Sequence, residues 1–99
     1  MKPSPGEEMI AMNARQCEAL TQKATRVEAD GSEAGRLKGA YLRAAAKALS
    51  SGRARKVLRA AGSRPDPDCD RRYREAREDM RVARQALAER GIRVKDITE

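Results

Sequence analysis

Arg53, Arg55, Lys56 and Arg59 place four cations within seven residues, and Arg36, Arg43 and Lys47 precede them. With Lys38 and Arg64 they make nine basic side chains between residues 34 and 65, a span without Asp or Glu. The other 67 residues hold 13 Lys/Arg against 15 Asp/Glu, so the net charge of +7 originates in one third of the chain. The chemistry open to such a segment is attraction of a polyanion, with guanidinium and ammonium groups meeting phosphate oxygens. Phosphate contact is favoured over base reading, because no Asn or Gln occurs between Gly31 and Gln85.

Catalytic chemistry finds few candidates. The chain has no His, hence no imidazole base and no histidine metal ligand. Cys17 and Cys69 lie on apolar rows, where a buried structural thiol is expected, and without CxxC spacing they form no metal motif. Asp66, Asp68 and Asp70 alternate like the start of a calcium loop, but the required Gly and terminal Glu are missing. Pro67 accounts for these acids as helix capping. Tyr41 and Tyr73 are the only aromatics and both fall on apolar rows, a poor platform for stacking single-stranded bases. The expectation is a non-enzymatic protein with no metal and no cofactor.

The elements that carry these residues read as helices. Only 13 of 99 residues are Leu, Ile or Val, with no Phe, while 18 are Ala, so the core is thin and the axes can approach closely. Helical spacing and capping signals argue against disorder. The expected fold is all-α, one domain forming a small three- to four-helix bundle. Its helices span about 5–30, 33–50, 53–61 and 67–90, and residues 91–99 form a short disordered or extended tail. The first and last helices are expected as a long packed pair.

Ser4-Pro5-Gly6-Glu7 fits a capping box, and Ile10, Asn13, Cys17, Leu20, Ala24 and Val27 then follow as a heptad seam up to Gly31. Asn13 either caps a shorter helix or is a polar residue that sets register between helices. Ser32 caps the second helix, in which Gly35 and Gly39 mark either a weak start or a strip where another backbone or a phosphate chain comes close. Ser50-Ser51-Gly52 reads as a break. The layout around it resembles a helix-turn-helix, with Ala48 four residues before Gly52 and Leu58 six after. Arg53 departs from that pattern, which usually has an aliphatic residue there. The last helix carries the seam Cys69, Tyr73, Ala76, Met80, Ala83 and Leu87, a possible self-association surface. Its flanks (Asp70, Arg72, Arg77, Asp79, Arg84) suggest mutual neutralisation, with Asp70–Arg74 as a suitable pair.

Two Cys make no disulfide framework, the opening Met1-Lys2-Pro3 does not resemble a signal peptide, and no stretch suits a bilayer, so a cytoplasmic protein is expected. The function expected is phosphate-directed binding of nucleic acid, double-stranded DNA above all, through Arg36, Arg43, Lys47, Arg53, Arg55, Lys56 and Arg59. That suits a small accessory or regulatory protein of a bacterium, plasmid or phage. The alternative is a helical protein–protein interaction module. It would assemble through the heptad seams, as a homodimer for instance, or dock its basic face on an acidic protein.

Overall fold

A computed structural model describes the backbone of residues 5–62, 64 and 66–98, with side chains from Asn13 onward except those of Asp96 and Thr98. Its elements are α1 (Pro5–Glu28), α2 (Glu33–Ala60), α3 (Pro67–Glu89) and a short α4 (Val94–Thr98). No strand occurs among the described residues, and no described helix is long and apolar enough to cross a membrane. Ser4 of the expected capping box, the side chain of Ile10, Ser63 and Pro65 lie outside the described residues.

The start and stop signals act as the sequence indicated. The Ser32 hydroxyl accepts the Gly35 N–H at 2.9 Å, and Asp66 accepts the Asp68 N–H at 2.9 Å with Pro67 opening the helix behind it. Gly31, Gly62 and Gly91 end α1, α2 and α3 with φ of 70°, 71° and 74°, a conformation that side chains resist. After α3 the Ile92 N–H reaches back to the Leu87 carbonyl at 3.0 Å and the Gly91 N–H to Ala88 at 2.9 Å. The chain thereby reverses, and Ile92 packs on the core beside Leu87. Beyond this turn lies the short α4, with Ile97 buried.

Ser50-Ser51-Gly52 is not a break. α2 runs through it as one helix of 28 residues, so the expected helices 33–50 and 53–61 are continuous and the helix-turn-helix layout is absent. The small residues serve packing instead. Ser51 is buried and its carbonyl accepts the Cys69 thiol at 3.3 Å. A Cβ on Gly52 would lie 3.1 Å from the Tyr73 ring. Residues 51 and 52 are therefore a notch that lets α3 approach, and the tertiary contact outweighs glycine's cost of about 1 kcal/mol in a helix.

The pairing of helices also differs from expectation. α1 and α3 do not form the main packed pair; each packs along α2, which lies between them. Toward α1, α2 presents Gly35, Gly39, Leu42 and Ala46; toward α3 it presents Tyr41, Ala44, Ala48 and Ser51. At about 100° per residue these sets lie roughly 160° apart, so α2 is buried on two sides and the three helices form a near-flat layer. The dimensions, 45 × 31 × 19 Å, agree with a layer. Ala24, Tyr41, Leu42, Ala83, Leu87 and Ile97 make the central core, and among the described residues the largest fully buried side chains are Leu42 and Leu87.

Candidate nucleic-acid interface

α2 positions most of the basic residues, and its continuity decides where they point. Lys47 and Lys56 are nine residues apart, about two and a half turns, so they emerge on opposite faces of the layer. Arg36, Arg43 and Lys47 lie on one face. Arg53 and Lys56 lie on the other, with Arg59 exposed near the helix end. The seven basic residues expected to act together are thus split between two surfaces.

Two of them are already engaged. Arg43 donates from Nε to Glu28 at 2.8 Å and from Nη2 to the same carboxylate at 3.1 Å and to the Thr25 hydroxyl at 3.3 Å. The hydrogen bond from Arg43 holds the Glu28 carboxyl below its usual range and raises the guanidinium. Arg55 pairs with Asp70 at 2.7 Å and lies 4.7 Å over the Tyr73 ring, fastening the end of α2 to the start of α3. Asp70 therefore faces Arg55 across the helices and not Arg74 along its own. Arg36, Lys47, Arg53, Lys56 and Arg59 have no acidic partner among the described residues.

Arg53 and Lys56 border an open groove of about 310 Å³ between α2 and α3, floored by Ala45, Ala48, Leu49 and Gly52 and walled by Tyr73, Arg77 and Met80. It continues past Tyr73, Arg77 and Met80 into a second groove of about 450 Å³, where Arg74, Arg81 and Arg84 stand. The one carboxylate among the described lining residues is Glu78. Arg81 takes it at 2.5 Å, which lowers its pKa. Arg53, Lys56, Arg74, Arg77 and Arg84 are left as five unpaired cations along one strip.

Three of these five come from α3 and were assigned by sequence to internal salt bridges. Arg77 and Arg84 are in fact unpaired, as is Arg72, while Arg71 is the arginine that meets Asp68 and Glu75. A signal for this was present. Asp70, Arg77 and Arg84 recur every seven residues on one flank of the seam, so Arg77 and Arg84 follow one another there with no acid between them at that spacing, while Arg72 and Asp79 share the other flank.

The seams themselves are occupied within the chain. Cys69, Ala76, Ala83 and Leu87 are buried, and Tyr73 and Met80 are partly buried where they border the grooves between α2 and α3. In α1, Asn13 is buried and donates to the Leu49 carbonyl at 3.3 Å, the register role open to it from the sequence. The Cys17 thiol donates to the Ala46 carbonyl at 3.4 Å; burial pushes it up, with a backbone bond from Ser50 opposing. No group of His, Cys, Asp and Glu among the described residues could hold a metal ion. No family model, curated protein or solved structure matches this chain.

Proposed function

We propose that this chain is a non-catalytic nucleic-acid-binding protein, directed to the phosphates of duplex DNA by the strip between α2 and α3. The observation that supports it is the set Arg53, Lys56, Arg74, Arg77 and Arg84, unpaired and on one face, beside a carboxylate already taken by Arg81. Five arginines and lysines meeting phosphates make log affinity fall with log salt at a slope of about −4.5. The strip has no Asn or Gln to read base edges, so affinity varies little with sequence. Relative to the sequence expectation, Arg36, Arg43, Lys47, Arg55 and Arg59 leave the binding set and Arg74, Arg77 and Arg84 enter it.

The test is a fluorescence anisotropy titration of labelled random-sequence duplex at several salt concentrations. Lys56→Ala with Arg77→Ala should remove about two units of the salt slope. Arg26→Ala with Arg72→Ala removes the same charge from exposed positions outside the strip and should leave the slope within about half a unit. Equal loss from both double variants, or no binding at low salt, rejects the proposal.

A further inference from the structure

The opposite face of the α2–α3 layer carries a separate, third groove of about 430 Å³, lined by Leu37, Ala40, Ala44, Val82, Ala83 and Ala86. Val82 is 54% exposed there, the most exposed large hydrophobic side chain among those described. Lys47 stands on the α2 rim and Asp79 on the α3 rim, and neither has an ion-pair partner among the described residues. The charges continue along each rim by helical spacing. Arg36 and Arg43 share the Lys47 face of α2, while Glu75 and Glu89 fall four before Asp79 and seven after Val82 on α3. On the α2 rim Arg43 already holds Glu28, and Arg36 and Lys47 are unpaired among the described residues; on the α3 rim Arg71 meets Glu75, Asp79 and Glu89 are unpaired carboxylates, and Arg72, seven residues before Asp79, is the one unpaired cation described there.

We infer that this face is a homodimer interface, in which a second copy of the chain lies groove to groove on the first. A two-fold axis along the groove sets α2 of one copy over α3 of the other, an isologous contact in which the unpaired cations of each α2 rim meet the unpaired carboxylates of the other copy's α3 rim. The level at which residues meet follows from the ion pairs that bridge α2 and α3. Arg90–Glu33 and Arg55–Asp70 place residue i of α2 beside a residue of α3 near 123 − i to 125 − i. Under the two-fold, Arg36 then stands over Glu89 of the other copy, and Lys47 falls between its Glu75 and Asp79. The small side chains of Ala40, Ala44, Ala83 and Ala86 permit close approach, and Val82 enters the partner's groove. A broad face of 45 × 31 Å has room for the roughly 800 Å² per partner that a stable dimer buries. The basic strip proposed for DNA faces outward on both copies, so dimerisation and DNA binding use separate surfaces.

Sedimentation of the protein alone, from about 10 to about 500 µM at low salt, reads this directly. A dimer is expected within that range and should weaken as salt rises. Val82→Glu leaves helicity unchanged by circular dichroism, since the side chain is exposed, and raises the dimer dissociation constant by more than about tenfold. Lys47→Glu and Asp79→Lys each weaken association by about three- to fivefold, and the two together return it to within about twofold of wild type. A wild type that stays monomeric at the highest concentration overturns the inference. So does a dimer indifferent to Val82→Glu. Since no DNA is present, either result is independent of the DNA titration.

Discussion

Gly35 and Gly39 sit where the end of α1 crosses α2, and a Cβ on either would run into α1. At Gly35 the obstacle is the Val27 carbonyl oxygen, which is backbone and cannot swing aside; at Gly39 it is the Glu28 side chain. Gly35→Ala should therefore destabilise by about 1–3 kcal/mol in urea unfolding, although Ala is the better helix former by about 1 kcal/mol. Glu28 belongs to the same corner, and its acid linkage has a definite sign. Hydrogen bonds from Arg43 to Glu28, from the Ser32 N–H and hydroxyl to Asp30, and from Arg81 to Glu78 lower these three carboxyl pKa values in the folded state. Stability from such groups is complete above the unfolded carboxylate range, about 4, and is lost as pH falls through the folded values. The urea midpoint should be flat from about pH 6 to 8, there being no His, and should drop below about pH 4. In Glu28→Gln the drop should be shallower.

At the scale of elements, α2 is the piece on which the others depend. It carries a helix on each side, and its middle is held by Asn13 from α1 and by Cys69 and Tyr73 from α3. A break at residues 50–52 would separate those two attachments. Gly52→Pro distinguishes a break from a continuous helix: proline is tolerated at a turn but costs about 3 kcal/mol or more inside a helix. The variant should lose much of its helical circular dichroism signal at 25 °C. An unchanged spectrum and melt would show that the helix does not need continuity there. Arg55 adds a second clamp between α2 and α3, through Asp70 and the face of Tyr73. It holds α2 to α3 and is not among the unpaired cations of the strip.

For the whole molecule, the flat arrangement has a thermodynamic consequence. The radius of gyration is 15.3 Å, against about 13 Å for a compact domain of 100 residues. A layer buries each outer helix on one side only, and Ala supplies much of the contact, so marginal stability is expected. Covering the Val82 face by a second copy would add the missing burial. Mass action then makes the melting temperature rise with protein concentration in the wild type and stay constant in Val82→Glu. Scanning calorimetry across about a tenfold concentration range separates these two behaviours.

Sequence alone determined the helical class, the ends at Ser32, Asp66, Gly31, Gly62 and Gly91, and the apolar rows of α1 and α3, because these depend on interactions within a turn or two of chain. It also located the basic segment, since charge is a property of composition. It did not show that Ser51 and Gly52 are small because Cys69 and Tyr73 need the space, a reason that lies in residues nearly twenty positions away. That one contact keeps α2 continuous, and continuity fixes the angle between Lys47 and Lys56. Tertiary structure therefore decided which cations share a face. It removed Arg43 and Arg55 by pairing them with Glu28 and Asp70, and it added Arg77 and Arg84 by setting α3 beside the end of α2. Helical phase can be read along a single helix; which neighbour faces each side depends on how three helices divide a small apolar surface, and only their packing settles it.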